Sequence, residues 1–203
     1  MQTYKIGVVV TTINGSERLY KMIESMRTAK DEYLKLVVID DGSTEREIQV
    51  IRELCRYYKI ELREHLRNQG ISASWNHGIA YLRDNGCTLA VVCNDDIRVV
   101  PGWLKAIEYF YEHNPVTGMV GLHATVDGKL VCTDGGVKKF EGEVDFSRPH
   151  RGLCPNGFCF GVPIGLWERC GFFDEQYISF YEEVDLGTAM AEGGLLSTTS
   201  RGP

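Results

Sequence analysis

Residues 34–44 read LKLVVIDDGST, an apolar stretch that runs directly into two aspartates, a glycine and two hydroxyl side chains. An apolar run of this length predicts a strand that is buried on both faces, and the polar residues after it predict a turn. Thr44 and Glu47 have the spacing of a capping box, and Ile48 and Ile51 then fall on one helical face. Strand, polar turn and helix in this order are typical of half a βαβ unit.

The same alternation extends in both directions along the chain. Residues 4–12 and 87–93 are strongly apolar, and apolar side chains recur at helical spacing in residues 19–26, 75–82 and 104–111. Pro101 suits the first position of the last of these helices, and residues 59–63 could add a short strand. The pattern predicts an α/β fold with a Rossmann-like, mostly parallel central sheet flanked by helices.

The pattern changes from residue 117 onwards. It predicts strands over residues 117–124 and 158–162, hairpins within 129–144, and a helix that begins near Glu183 and ends at Gly193. The polar residues from 197 to the end are expected to fray. We interpret the chain as one domain with a nucleotide-binding half (about 1–115), a half that builds the site (about 116–195) and a polar tail (196–203).

Composition excludes several classes of protein. The 203 residues are 43% hydrophobic and 25% charged, which is average for a globular domain and argues against disorder or a coiled coil. The net charge of −6 argues against nucleic-acid binding through a basic surface. We see neither a run of apolar residues that could cross a membrane nor a signal peptide. Seven cysteines without a C-x-x-C pair suit a reducing compartment, so we expect a cytoplasmic protein, with a place next to the membrane left open.

Polar side chains follow three of the predicted strands at the point where each strand ends. They are Thr11 and Thr12 after the first strand, Asp40 and Asp41 after the second, and Asn94, Asp95 and Asp96 after the fourth. Ligands of open parallel sheets bind beyond the carboxyl ends of the strands, and adjacent carboxylates favour a divalent cation. The same residues could instead cap helices or shape turns. The usual glycine-rich phosphate loops are absent, which agrees with phosphates held through a metal.

Five segments of the chain carry a resemblance to a known family. Residues 8–14 resemble its opening strand, residues 37–44 its nucleotide-binding strand, and Arg67–Gly70 with Asn76 and Gly78 its paired N-x-G segments. Residues 93–104 resemble its D-x-D region, and residues 171–186 its G-G-F-D-E and E-D/E-x-D-L blocks. The chain thus resembles the family 2 glycosyltransferases, inverting enzymes of the GT-A fold, and within them the rhamnosyltransferase-like branch.

The resemblance implies a role for each matching residue. The residues that it implies for donor binding are Thr11, Asp41, Asn68 and Asp95, with Asp41 on the base of the nucleotide. Asp96 matches the acid that ligates Mn²⁺ or Mg²⁺, with Asn94 and Asp95 as further candidates, and Asn94 stands where the family has its first acid. Glu183 matches the general base. As an alternative, Glu182, Glu183 and Asp185 could simply be an acidic first turn that complements the helix dipole.

These roles predict transfer of a sugar from a UDP-, dTDP- or GDP-linked donor to an acceptor hydroxyl. The acceptor would be a glycan, a lipid-linked sugar or a surface polymer, selected by residues 125–157. Two other functions stay open at this point. Family members usually continue beyond the base helix, so the short stretch after Glu183 is compatible with a binding module that turns over little or not at all. A nucleotidyltransferase would need a glycine-rich loop with Arg and Lys after the first strand, which is missing. The five histidines show no metal-ligand spacing.

Overall fold

The computed structural model describes residues 4–114, 117–122, 124–126, 129–131, 157–178 and 182–200. Its strands are β1 (Ile6–Thr12), β2 (Lys35–Asp40), β3 (Glu61–Glu64), β4 (Leu89–Asn94), β5 (Thr117–Leu122), β6 (Ala124–Val126), β7 (Lys129–Val131), β8 (Cys159–Pro163) and β9 (Leu196–Ser200). Its helices are α1 (Ser16–Ala29), α2 (Glu45–Tyr58), α3 (Ile71–Asp84), α4 (Trp103–His113), α5 (Ile164–Arg169) and α6 (Glu182–Glu192). The predicted α/β class and the alternation in the first half are confirmed.

Seven of the strands form one sheet in the order β3-β2-β1-β4-β8-β5-β9, and β6 and β7 form a separate hairpin. The first four strands are parallel, β8 runs antiparallel to β4 and β5, and β9 is parallel to β5. In register, Thr12 lies beside Asp40 and Thr11 lies beside Asn94. The polar ends of three parallel strands therefore meet at one edge of the sheet.

The core lies on both faces of this sheet. Val8 and Val10 of β1 face a cluster that includes side chains of α1, α2 and α4, whereas Val9 faces a cluster with α3, α5 and α6. Successive side chains of a strand point to opposite faces, so a strand covered on both sides must be apolar throughout. All seven residues of β1 are buried, which accounts for its continuous apolar run.

Two glycines allow backbones to approach where the site is built. A Cβ atom on Gly78 of α3 would lie 2.4 Å from Val9 Cγ1, so this glycine lets the helix pack closely on β1. Gly42 has a φ of +80°, and a Cβ atom there would lie 2.4 Å from the carbonyl carbon of Arg67. The turn after β2 thereby contacts the segment that follows β3.

Three local predictions were wrong. The Thr44 side chain makes no cap hydrogen bond, and Glu47 instead accepts a hydrogen bond from the backbone N–H of Ser16, so the capping box does not form. Pro101 lies in a turn before the helix, whose N-cap is Gly102. Leu196–Ser200 forms β9 rather than a frayed tail, because the edge of β5 offers backbone partners in parallel register.

Residues 132–156, which hold most of the predicted hairpin and specificity region, lie outside the described residues.

Candidate active site

A cavity of about 350 Å³ lies at the edge of the sheet where β1, β2 and β4 end. All six residues that the resemblance implies for donor or metal binding line it: Thr11, Asp41, Asn68, Asn94, Asp95 and Asp96. Thr12, Arg18 and the first turn of α3 complete much of the wall, and Ile178 contributes an apolar rim that is 67% exposed. Parallel topology thus brings residues from four separate stretches of sequence to one polar cavity.

Asp41 is buried in this wall and is surrounded by donors. Its Oδ1 accepts hydrogen bonds from the backbone N–H of Gln69 at 2.8 Å and faces Nδ1 of His65, also at 2.8 Å. Its Oδ2 accepts a hydrogen bond from the backbone N–H of Gly70 at 3.0 Å. Burial alone would raise the pKa of Asp41, but these hydrogen bonds together lower it, so the group is a carboxylate at neutral pH.

Asp95 is held by an ion pair rather than left open to the cavity. Arg18 of α1 donates from Nε to Oδ1 at 2.9 Å and from Nη2 to Oδ2 at 3.2 Å. The Thr12 hydroxyl donates to Oδ2 at 2.6 Å. The Arg18 guanidinium also donates to the carbonyl of Ile13, so it ties the end of β1 to the end of β4. Asp95 therefore already has protein donors on both oxygens.

Asp96 differs from its neighbour in exposure and in partners. It is exposed, and within the described part of the chain its carboxylate has neither a hydrogen bond nor an ion pair. Asn94 is half-buried beside it on the cavity wall. No cluster of three or more His, Cys, Asp or Glu side chains suited to a metal occurs among the residues that the structure describes.

The first turn of α3 carries two further polar atoms at or near the cavity. The Ser74 side chain is fully buried, lines the cavity, and its Oγ has no hydrogen-bond partner among the described residues. Trp75, the next residue, has a buried Nε1 in the same condition, and its ring packs between Phe160 and Phe173. Buried polar atoms are normally paired, so these two atoms are exceptions among the residues that the structure describes.

Asn76 of α3 holds the segment before α6 against this helix through hydrogen bonds. Its Oδ1 accepts hydrogen bonds from the backbone N–H of Phe173 and from Trp167 Nε1, and its Nδ2 donates to the Phe173 carbonyl and to Glu175. Farther along, the backbone N–H of Ile71 donates to the Ile178 carbonyl at 3.1 Å. These contacts bring the chain that leads to α6 alongside the cavity.

Glu183 lies in the first turn of α6 and is not among the residues that line the described cavity. Its Oε2 is buried without a partner in the described part of the chain, and it lies 3.7 Å from where a Cβ atom of Gly157 would be. Burial raises the pKa of the neighbouring Glu182, and the Glu183 carboxylate raises it further. Two adjacent carboxylates, each with a buried oxygen that has no partner among the described residues, thus lie in the first turn of α6.

Comparison with known proteins identifies the family. The model of the family described as "Glycosyl transferase family 2" matches residues 7–159, well over half of the chain. The chain belongs to glycosyltransferase family 2. The matched region contains β1 to β4, the turns that follow them, and the cavity residues up to Asp96.

Curated relatives of this family 2 chain are bacterial glycosyltransferases. It is 24% identical to an N-acetylglucosaminyl-diphospho-decaprenol L-rhamnosyltransferase of Mycobacterium tuberculosis, over 95% of this chain and 72% of the relative. It is 25% identical to a putative glycosyltransferase, EpsE, of Bacillus subtilis, over 78% of this chain and 55% of the relative. The chain therefore spans between about half and three quarters of these two relatives.

Solved structures confirm the GT-A fold. A mannosyltransferase from Pyrobaculum calidifontis, in complex with GDP-Man and Mn²⁺, superposes with a TM-score of 0.70 at 16% identity, over 99% of this chain and 57% of that one. TarS of S. aureus, in complex with UDP, gives a TM-score of 0.67 at 18% identity, over 97% of this chain and 57% of the other. Both are longer than this family 2 chain, and at these identities the likeness shows the fold.

Sequence reasoning missed the roles of four residues at the site. These are Thr12, which donates a hydrogen bond to Asp95, and Arg18, His65 and Ser74. Arg18 falls on the polar side of an amphipathic helix, where a charge ordinarily indicates a solvated face. His65 and Ser74 stand in no recognised motif spacing. Only the position of Thr12 at a strand end offered a signal.

No helix among the described residues is long and apolar enough to span a membrane.

Proposed function

We propose that this chain transfers a sugar from a nucleotide-diphosphate donor to an acceptor hydroxyl with inversion at the anomeric carbon. The observation that carries the proposal is the cavity at the carboxyl edge of β1, β2 and β4, with Asp41 at one wall and Asp95 and Asp96 at another. Family membership adds the reaction class, and the named ligands of the two solved relatives are a nucleotide sugar and a nucleoside diphosphate. A nucleoside diphosphate that carries a sugar is polar, as is the lining of this cavity.

Asp41 accepts a hydrogen bond from the base of the nucleotide. A carboxylate offers about four lone-pair sites on its two oxygens. Three are used by His65, Gln69 and Gly70, which leaves one site on Oδ2 for an N–H of the base. Uracil, thymine and guanine each carry a ring N–H, which suits a UDP-, dTDP- or GDP-linked donor. Thr11 and Asn68, on the same cavity, flank the nucleoside.

The chemistry of the oxygens on β4 and its turn fits a Mn²⁺ or Mg²⁺ ion at the diphosphate. Asp96 has an exposed carboxylate and Asn94 an amide oxygen, and such ions commonly use one or two carboxylates together with substrate phosphates. When bound, the ion would neutralise charge that gathers on the departing diphosphate. Asp95 has both oxygens engaged by Arg18 and Thr12, so it would support the site through these bonds.

Glu183 accepts the proton of the acceptor. In the proposed displacement the acceptor oxygen forms a bond to the anomeric carbon while the bond from that carbon to the diphosphate oxygen breaks. The leaving nucleoside diphosphate keeps the electron pair of the broken bond, and the hydroxyl proton passes to the Glu183 carboxylate. Its Oε2, which has no partner among the described residues, is an acceptor of the required kind.

The acceptor is a glycan or a lipid-linked sugar. The relative from Mycobacterium tuberculosis, by its name, transfers rhamnose to an N-acetylglucosaminyl-diphospho-decaprenol, which is a lipid-linked sugar. We place this chain's activity in the cytoplasm, with an acceptor that can be presented at a membrane surface. We also propose that the nucleotide-binding half and the acceptor half form one domain.

Calorimetric titration tests the donor site. UDP, GDP, dTDP and CMP are each titrated with Mn²⁺ and with EDTA, and we expect metal-dependent binding of one diphosphate. Asp96→Asn should remove the metal dependence, whereas Glu53→Gln, which neutralises an exposed carboxylate on α2, should change nothing. Binding that is identical with EDTA, or that survives unchanged in Asp96→Asn, would refute the metal assignment.

Glu183→Gln tests the base. The variant should bind the donor like the wild type and lose transfer, because the amide cannot take up the acceptor proton. A wild-type chain that binds donor but shows no transfer to any acceptor and no donor hydrolysis would favour the binding-module function. A Glu183→Gln variant that keeps full turnover would refute its role.

A further inference from the structure

A chain of three titratable side chains leads from the donor cavity to a second cavity. Nδ1 of His65 lies 2.8 Å from Asp41 Oδ1, and Nε2 of the same ring lies 3.0 Å from Nδ1 of His77. The two imidazole planes are within 8° of parallel. Asp41 lines the donor cavity, whereas both histidines line a separate cavity of about 500 Å³. The His65 side chain is only 6% exposed, so its two nitrogens have these partners in place of water.

The positions of the protons in these hydrogen bonds follow from Asp41, the acceptor at the end of the series. A carboxylate can only accept, so His65 must donate from Nδ1 to Asp41. In a neutral imidazole the other nitrogen is then an acceptor, and His77 must donate to it from its own Nδ1. Burial lowers the pKa of His77, and His65 and Arg63 lower it further, which agrees with a neutral ring there. When both rings are neutral, each therefore carries its proton on Nδ1, and the order of donation is His77 to His65 to Asp41.

We propose that His65 is the positioning residue for Asp41, and that His77 fixes the tautomer of His65 that allows it. The proposal rests on the proposed function, in which Asp41 receives the base of the nucleotide. The hydrogen bond from His65 adds a side-chain donor to the two backbone N–H groups that hold the carboxylate, and together they keep the direction of the remaining lone pair of Oδ2. Partners that orient a binding group in this way commonly control its affinity without touching the ligand.

A purely structural role for His65 is separable from this one. Its backbone N–H donates to the carbonyl of Asp40 at 2.9 Å, which anchors the chain after β3 whatever the side chain is. The 69–70 segment is likewise held to Asp41 through backbone N–H groups. Removing the imidazole therefore leaves the backbone contacts around Asp41 in place and removes the side-chain donor. Asp41, which follows β2, contacts His65, and the charge of Arg63 on β3 acts on His77.

Substitutions at position 65 test the proposal through nucleotide affinity. In His65→Asn the amide nitrogen takes the place of Nδ1 and can still donate to Asp41, whereas His65→Leu removes the donor. We expect His65→Leu to weaken binding of the preferred nucleoside diphosphate roughly tenfold, and His65→Asn to stay within about threefold of the wild type. His113→Leu, at an exposed histidine on α4, is the matched control and should bind like the wild type. Urea unfolding of each variant establishes that it is folded.

Nitrogen NMR of the wild-type chain supplies a readout that does not depend on any variant. At about pH 8, where free imidazole is neutral, long-range ¹H–¹⁵N spectra should show His65 and His77 protonated on Nδ1 and unprotonated on Nε2. A proton on Nε2 of His65 would overturn the proposal, as would equal affinities of wild type and His65→Leu. Failure of the wild type to bind any diphosphate would instead refute the proposed function, and the positioning role for a nucleotide would fall with it.

Discussion

Replacing Arg18 by glutamine should destabilise the fold, because the carboxylate of Asp95 would stay buried without its cation. The Asp95 side chain is 9% exposed and the Arg18 side chain 47% exposed, and two hydrogen bonds of 2.9 and 3.2 Å would be lost. Loss of one partner of a buried pair costs about 3–5 kcal/mol, whereas an exposed pair contributes about 0–1 kcal/mol. With one partner buried and the other half-exposed, and with the Thr12 hydroxyl still bound, we expect a loss of about 2 kcal/mol.

A double-mutant cycle measures this interaction directly. Wild type, Arg18→Gln, Asp95→Asn and the double variant are unfolded in urea and followed by circular dichroism. We expect a coupling energy of about 1–2 kcal/mol, with the double variant less destabilised than the sum of the two single variants. Arg27→Gln is the control, because its pair with Glu24 on the same helix is exposed on both sides and should be worth less than about 0.5 kcal/mol. Single-variant losses that add within about 0.5 kcal/mol would refute the argument.

Three further predictions follow from the same structure. Near neutral pH, Glu182→Gln should stabilise the fold, and each 1 kcal/mol gained should raise the melting temperature by about 2–4 °C. Because the pKa of Glu182 is raised in the fold, the gain in stability should shrink as the pH falls toward 4.5. A gain that does not depend on pH would refute this prediction. Asn76→Ala should cost about 2–4 kcal/mol in urea unfolding, because it removes four hydrogen bonds and leaves the backbone N–H and carbonyl of Phe173 unpaired. Since the pKa of His77 is lowered in the fold, the unfolded chain takes up its proton first. As the pH falls below about 6.5, the wild type should therefore lose stability that His77→Asn retains, and the same pH dependence of the melting temperature in both proteins would contradict this.

Much of the fold was predictable because each strand near the site is buried on both faces. The continuous apolar runs before Thr12, Asp40 and Asn94 identified β1, β2 and β4, and the class of the sheet followed from their alternation with helices. The predictions that were wrong depended on a single side chain or on an edge. Glu47 had a backbone donor on another helix available, Ser16, and the sequence around Thr44 holds no information on that contact.

The candidate site divides in the same way. The register of a parallel sheet alone brings Thr11 beside Asn94, so the convergence of the strand ends was predictable. The partners of the two aspartates on that edge were not. Asp95 and Asp96 are adjacent in sequence, yet one is buried under an arginine and the other is exposed.

By itself, then, the sequence determined where the strands and helices lie and that carboxylates gather at one edge of the sheet, because periodicity and strand ends are local properties. The tertiary structure decided which of those carboxylates forms a buried ion pair with an arginine and which is exposed. Arg18 reaches Asp95 across 77 positions of sequence, and His65 reaches Asp41 across 24. Such pairings arise when the chain closes on itself, and the energy of a charge depends on burial and partners that only the closed chain supplies.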